Sequence, residues 1–234
     1  MQFIQTIISY LAIAAAFVSS IFSFGDTSFV PYTNNYKIPE TIPEYSAIST
    51  KEKSDWKAKW IWDKENLTEK NVWMCFNKKI NLDKIPQNLT AFISADSKYW
   101  LYINGENVVF EGSVKRGPDK NSGYYDSIDI APYLRNGENT ICALVWFWDN
   151  ETSYSYCSSG QGGFIFEAVG DGISIVSDKS WKVKRNDAYI DSSFYLPNYR
   201  FPEYSIYYDA RKETGDWING SYDVSSWENA TEYA

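Results

Sequence analysis

The sequence predicts an all-β sandwich that follows a non-globular N-terminal region. Short apolar runs alternate with turn residues along most of the chain, and no stretch keeps a helical period over three turns. Short strands at regular spacing are typical of sandwiches and barrels. The predicted strands lie at 72–80, 90–94, 99–103, 106–110, 139–148, 163–168, 173–176 and 181–185, with a short strand or turn at 128–134.

The clearest element is a hairpin that turns at Asn104 and Gly105. This dipeptide favours the two-residue type I′ turn, in which both central residues have positive φ. Such a turn predicts three cross-strand pairs: Ile103 with Glu106, Leu101 with Val108, and Tyr99 with Phe110. Because side chains alternate between the two faces of a strand, we expect these six residues to face the core.

Two aromatic pairs are candidates for contact with a ligand. Trp100 and Tyr102 share the outward face of the hairpin with Val109, and Trp146 and Trp148 share one face of the strand at 139–148. Aromatic rings of this kind can stack on a sugar. Alternatively, a loop, the linker or a neighbouring domain covers the first pair, and the second pair packs between the sheets.

The chain divides into four parts. Residues 1–24 carry no charge and include an apolar stretch at 7–22, which predicts a secretory signal peptide or, alternatively, an uncleaved membrane anchor. Residues 25–55 are rich in polar residues and proline and are predicted to form a linker. The sandwich is expected at 56–205, and 206–234 is expected to be a C-terminal extension that leads toward an absent domain.

Sequons and cysteines bear on export. Asn-x-Ser/Thr sequons make five candidate glycosylation sites: Asn66, Asn88, Asn150, Asn219 and Asn229. Together with the N-terminal segment they predict a secreted, extracellular protein. The cysteines are Cys75, Cys142 and Cys157, so one disulfide and one free thiol are expected in an oxidising compartment. Cys142 and Cys157 are the candidate pair because they are close in sequence.

Composition argues against several classes of function. A net charge of −8 disfavours binding to nucleic acid or to an anionic membrane. The chain has no histidine, so it holds neither a Ser-His-Asp nor a Cys-His catalytic site. The acid pairs Asp126/Asp129 and Asp209/Glu213 are interpreted as a turn cap and as an ion-pair arrangement around Arg211. No catalytic residue is predicted.

Several segments in order resemble the N-terminal region of the α-L-rhamnosidase family of glycoside hydrolases. The more specific elements are Tyr208-Asp209-Ala210-Arg211 and the closing stretch from Asp223 through Ser226-Trp227 to Ala230. The resemblance extends from about residue 56 to residue 234. The supporting segments are 59–62, 77–80, 95–105, 125–130, 134–139 and 177–181.

The resemblance implies a galactose-binding-like jelly roll without the α/α-barrel domain in which the family keeps its catalytic carboxylates. The chain then resembles an accessory module that binds a rhamnose- or galactose-containing glycan. Alternatively, it is the N-terminal fragment of an active rhamnosidase, or a purely structural domain that positions a catalytic domain. The candidate ligand-binding residues are Trp100, Tyr102, Arg116, Tyr125, Asp126, Trp146 and Trp148.

The resemblance also implies a calcium ion, because related sandwiches carry one for structure or for holding the sugar. Calcium takes several oxygen ligands from loops. The candidate ligands are Asp96, Asn104 and Asp126, which are not arranged in an EF-hand spacing.

Overall fold

The computed structural model describes residues 51–112, 123–149, 157–191 and 203–233. The predicted signal segment, most of the predicted linker, Arg116 and Asn150 lie outside these residues. No helix within the described ranges is long and apolar enough to cross a membrane.

The described part of the chain consists of short strands, a few 3-10 turns and loops. Its strands are β1 (Trp60–Trp62), β2 (Val72–Leu82), β3 (Thr90–Asp96), β4 (Lys98–Ile103), β5 (Glu106–Gly112), β6 (Asp126–Asp129), β7 (Gly137–Phe147), β8 (Gly163–Gly170), β9 (Ile173–Val176), β10 (Lys182–Arg185), β11 (Tyr189–Ile190), β12 (Tyr207–Tyr208), β13 (Glu228–Asn229) and β14 (Thr231–Tyr233). The 3-10 turns are Lys53–Asp55, Ala131–Tyr133 and Ala210–Lys212.

Two antiparallel sheets pack face to face, which confirms the predicted all-β sandwich. The first sheet has the strand order β14-β1-β8-β3-β6, with β9 also paired to β8. The second sheet has the order β13-β10-β2-β7-β4-β5. A separate two-stranded ribbon pairs β11 with β12.

The core lies between the sheets and follows the two-residue alternation of the strands. Met74 and Phe76 on β2 meet Phe164 and Phe166 on β8, and all four are fully buried. The apolar area removed from water here supplies the main driving force for folding. Trp62 and Trp181 belong to the same cluster, so tryptophan fills part of the core between the sheets.

The second sheet is apolar on both faces. Strands β2 and β7 pair along their full length, from Val72 opposite Phe147 to Leu82 opposite Gly137. Their inward residues form the core, while Trp73 and its neighbours on the outer face are buried as well. A sheet with two apolar faces needs a second layer to cover it.

The C-terminal residues supply that layer. β13 pairs with β10 in the second sheet, and β14 pairs with β1 in the first sheet. Between the ribbon and these strands, Trp217, Val224 and Trp227 pack against the outer face of the second sheet. The described part of the predicted extension at 206–234, which is residues 206–233, thus contributes to both sheets and to the cover.

The hairpin turn has the predicted type. Asn104 has a φ of 54° and Gly105 a φ of 85°, and Ile103 is paired with Glu106 as expected. Asn104 also accepts the backbone N–H of Thr140 on its side-chain oxygen, at 3.0 Å. The turn is therefore held from two directions.

The register beyond the turn differs from the prediction. Leu101 pairs with Val109 and Tyr99 with Gly112, because each irregularity along the hairpin adds one residue to β5. A Cβ atom at position 112 would overlap the ring of Tyr99, so glycine is the residue that this close approach requires. The slip turns Phe110 outward, where 76% of it is exposed, and the expectation of a core position for it is wrong.

Gly162 provides a test of core packing at the edge of the sandwich. A Cβ atom there would overlap the indole of fully buried Trp62, which has no room to move. We expect Gly162→Ala to lower the free energy of unfolding by about 2 kcal/mol through overpacking. Gly170→Ala, at the other end of β8, meets only one ordinary contact with Leu89 and should change stability by less than ~0.5 kcal/mol. Urea denaturation of both variants checks the difference, and equal losses would contradict it.

Candidate functional site

The outer face of the second sheet carries an aromatic layer under the C-terminal residues. We call it the outer-face cluster. It consists of Trp73, Cys75, Trp100, Cys142, Leu144, Trp146, Trp148, Tyr204, Trp217, Val224 and Trp227.

Trp73 lies at the centre of this cluster. Its ring stacks on Trp146 with centroids 4.3 Å apart, on Trp100 at 5.3 Å and on Tyr189 at 3.8 Å. The interplanar angles are 16°, 23° and 10°. Each such ring pair contributes ~0.5–1.5 kcal/mol of stability beyond the contribution of its buried area. The stack therefore joins β2, β4 and β7 to the ribbon as one rigid unit.

Three of the predicted sugar-stacking residues are covered. Trp146 and Trp148 are buried, and Trp100, at 9%, is the most exposed of the three. Tyr102 is half-buried, with its ring edge-on to Trp217 at 6.3 Å. Trp146 and Trp148 do share a face, but it is the outer face of the sheet rather than the inter-sheet core. The residues that cover this face come from the C-terminal part of the chain.

The other candidate ligand residues lie elsewhere. Tyr125 belongs to the outer face of the first sheet, where its ring meets Trp56 and Phe92 edge-on. Asp126 accepts the hydroxyl of Tyr99 at 2.7 Å. Arg116 lies outside the described residues. The predicted set therefore does not come together as one site.

The predicted calcium ligands do not converge. Asp96 precedes β4 and Asn104 follows it, so the six-residue strand separates them by roughly 20 Å. The amide nitrogen of Asn104 donates to the carbonyl of Tyr133 at 2.8 Å, and Asp96 accepts Ser159 at 2.6 Å. No cluster of three metal-ligating acidic or sulfur side chains occurs in the described ranges. The structure therefore does not bring Asp96, Asn104 and Asp126 together as one ligand set.

The acid pairs have structural contacts, as the sequence suggested. Asp129 accepts the backbone N–H groups of Leu89 and Ala131, at 2.9 and 3.1 Å. Asp209 forms a two-point ion pair with Arg211, at 2.7 and 2.8 Å. This exposed pair lowers the pKa of Asp209 through the hydrogen bond from the Arg211 side chain. Neither arrangement presents two carboxylates across a cleft, which glycoside hydrolysis requires.

The predicted disulfide between Cys142 and Cys157 is wrong, because both thiols are free. Cys142 points into the outer-face cluster, where its sulfur accepts the amide of Asn77 at 3.1 Å and lies 3.5 Å from the carbonyl of Trp217. Burial raises the pKa of the Cys142 thiol to about 12, and burial also raises the pKa of Cys75. Both are packing residues with little thiolate character.

The sequons differ in their surroundings. Asn88 and Asn229 are exposed, as a glycosylation site requires. Asn66 and Asn219 are half-buried, and their amide groups donate to Asp63 and Asp216. Asn150 lies outside the described residues.

An open cleft lies where the ribbon meets the end of β10, a site that the sequence did not single out. Its cavity volume is about 440 Å³. Charged residues of both signs line it together with one aromatic and one aliphatic residue. The lining consists of Arg185, Asp187, Tyr189, Ile190, Asp191 and Lys212.

The floor of the cleft is held in place by the outer-face cluster. One face of Tyr189 lies flat on Trp73, and the edge contact with Tyr208 has its centroids 5.1 Å apart. The Tyr208 hydroxyl donates to Glu213 at 2.6 Å, and this hydrogen bond raises the pKa of Tyr208 to about 12. At the rim, Arg185 pairs with Glu69 at 2.7 Å.

The ribbon beside the cleft exposes several apolar side chains. Ile190 pairs with Tyr207 across the ribbon, and Tyr208 and Ile206 continue the same stretch of chain. Each of the four is between 45% and 56% exposed. A group of exposed apolar residues next to charged ones is typical of an interaction site.

Comparison with known proteins identifies the sandwich. A family model described as the α-L-rhamnosidase N-terminal domain matches residues 84–234. The chain belongs to this family. The matched range includes β7, one of the two central strands of the second sheet, together with the ribbon and the C-terminal cover.

Two further similarities agree with the family assignment, and a third shows the shared fold. An α-L-rhamnosidase of Formosa agariphila is 29% identical over an alignment of 178 residues, and the match covers 68% of this chain and 17% of the relative. A rhamnosidase structure from Bacillus sp. GL1 matches with a TM-score of 0.64 and 29% identity, over 76% of this chain and 18% of that one. The Aspergillus terreus rhamnosidase, at 20% identity and a TM-score of 0.60, shares the fold over 78% of this chain and 22% of its own. The chain spans about a fifth of the length of these relatives.

The cysteine environments predict a thiol-labelling pattern. In the native protein we expect a thiol reagent to modify Cys157 readily, whereas Cys75 and Cys142 stay unmodified because both are buried. After denaturation without a reducing agent, all three thiols should react. Mass spectrometry of the labelled chain counts them. Recovery of a single thiol under denaturing conditions would mean that a disulfide exists.

Proposed function

We propose that this chain is a secreted, non-catalytic accessory module that binds carbohydrate in the cleft beside the β11–β12 ribbon. The observation that carries the proposal is the combination of one anchored aromatic ring, Tyr189, with charged hydrogen-bonding groups around one open cleft. The similarity to α-L-rhamnosidases supports rhamnose-containing oligosaccharides as the first choice of glycan, and galactose-containing oligosaccharides are the second choice.

The cleft offers the contacts that a sugar needs. Asp187 and Asp191 can accept hydrogen bonds from hydroxyl groups, and Lys212 can donate them. Beside the cleft, the exposed ring of Tyr207, the cross-strand partner of the lining residue Ile190, offers a flat apolar surface to the C–H face of a pyranose. Because Tyr189 is already stacked on Trp73, little side-chain freedom remains to be lost on binding.

The non-catalytic and secreted parts of the proposal have separate support. The chain lacks histidine, and its acid pairs are engaged in caps and ion pairs. Export is supported by the uncharged apolar stretch within residues 1–24 and by the exposed sequons at Asn88 and Asn229.

A structural role is the second candidate. The exposed residues Ile190, Ile206 and Tyr207 are apolar enough to dock against another domain. The relatives are about five times longer than the matched segment, so a further domain in a longer protein is a suitable partner. The chain would then be the N-terminal piece of a rhamnosidase whose chemistry lies elsewhere.

We expect Tyr207→Ala and Lys212→Ala each to weaken glycan binding about tenfold, or ~1.4 kcal/mol, because each removes one contact with the sugar. Phe110→Ala is the matched control, since Phe110 is an exposed aromatic residue that belongs neither to the lining of the cleft nor to the β11–β12 ribbon beside it. The glycan is identified on an array of rhamnose- and galactose-terminated oligosaccharides, and its affinity is measured by calorimetry with and without EDTA. Equal weakening by Phe110→Ala would contradict a site in the cleft.

Hydrolysis is tested on the same preparation with an aryl α-L-rhamnoside. We expect no turnover, and turnover by the purified chain would overturn the non-catalytic role. If no glycan on the array binds, carbohydrate recognition is refuted and the structural role remains.

A further inference from the structure

The outer face of the first sheet carries a charged cluster that neither the fold nor the cleft explains. Glu167 lies in the middle of β8, and its side chain is only 5% exposed. A carboxylate buried on a sheet face is costly unless charged and hydrogen-bonding partners surround it. Within the described ranges, the hydrogen-bond donors to the Glu167 carboxylate come from residues 51–58, which we call the N-terminal strap.

The strap surrounds both carboxylate oxygens of Glu167. Lys51 Nζ donates to Oε1 at 2.7 Å. The backbone N–H groups of Lys57 and Ala58 both donate to Oε2, the second at 2.9 Å. Burial alone would raise the pKa of Glu167, but these hydrogen bonds outweigh it and hold the pKa below its ordinary value.

Aromatic rings form the rest of the surroundings of Lys51. Its ammonium nitrogen lies 4.6 Å from the ring centroid of Trp56 and 4.4 Å from that of Phe92. Tyr125 meets both rings edge-on, at 5.7 and 5.6 Å. Phe92 is also the direct cross-strand partner of Glu167, so the sheet itself presents a ring beside the carboxylate.

A carboxylate surrounded by aromatic rings is an arrangement that binds an organic ammonium ion. The carboxylate supplies the counter-charge and a hydrogen-bond acceptor, and the rings attract the cation through their quadrupoles. We propose that Trp56, Phe92, Tyr125 and Glu167 form a binding site for a primary alkylammonium group, with Lys51 as its resident ligand within the chain. The site holds the strap against the first sheet, and it is independent of carbohydrate binding in the cleft.

A site that binds its ligand by this chemistry should accept the same group supplied from solution. Lys51→Ala removes three methylenes and the ammonium group. The ion n-propylammonium supplies the same number of carbon atoms and the same ammonium group. In the full-length Lys51→Ala protein we expect a lower melting temperature and a saturable recovery of about 3 °C on addition of n-propylammonium chloride. The wild type should not respond, because Lys51 already fills the site.

Matched controls separate binding from general effects of the additive. Lys53→Ala changes an exposed lysine in the same strap and should not create a response. Sodium chloride at the same ionic strength and 1-propanol, which lacks the charge, should not restore Lys51→Ala. The double variant Lys51→Ala/Glu167→Gln should lose the response to n-propylammonium. An equal rise in the wild type, or an equal effect of 1-propanol, would overturn the proposal.

A second measurement uses the unmodified chain. An amine-reactive reagent should label Lys51 several-fold more slowly than Lys53 and Lys57, which are exposed in the same strap. In the Glu167→Gln variant this protection should be lost while the labelling of Lys53 stays unchanged. Labelling of Lys51 as fast as Lys53 in the wild type would equally overturn the proposal.

Discussion

The double burial of the second sheet is the constraint on which the rest of the structure depends. β2 and β7 place apolar residues on both of their faces, and a single sheet partner can cover only one of them. The first sheet takes the inner face. The outer face has to be covered by chain that comes later, and Trp217, Val224 and Trp227 cover it. The long C-terminal path and the position of its two last strands follow from this requirement.

The two outer faces of the sandwich are covered by different chemistry. On the second sheet the cover is apolar and rests on stacked indole rings. On the first sheet a short strap is held by the ion pair of Lys51 with Glu167 and by hydrogen bonds to the same carboxylate. Burial of apolar area is nondirectional, whereas an ion pair with bound N–H groups fixes one position. The C-terminal residues are therefore held on the second sheet by a broad apolar contact. The strap is held on the first sheet by a specific polar one.

Local signals in the sequence predict much of the fold but little of the site. Alternation and turn chemistry locate most strands and the turn at Asn104, because these depend on neighbouring residues. The register at Gly112 is not predictable, since it depends on how closely the ring of Tyr99 approaches. The outward position of Trp100 can be derived, but its cover comes from residues more than a hundred positions later. The sequence does not predict the cleft, because Arg185 and Lys212 each resemble an ordinary surface charge.

The position of the cleft follows from the same constraint. A sugar-binding surface needs aromatic rings in water, yet the best rings of this chain, those around Trp73, are needed to close the second sheet. Tyr189 continues the stack from the cluster into the ribbon. At the ribbon, the stacking contact with the cluster holds Tyr189 in place next to residues that remain accessible. Burial of the predicted platform and the anchoring of the cleft are thus two consequences of one stack.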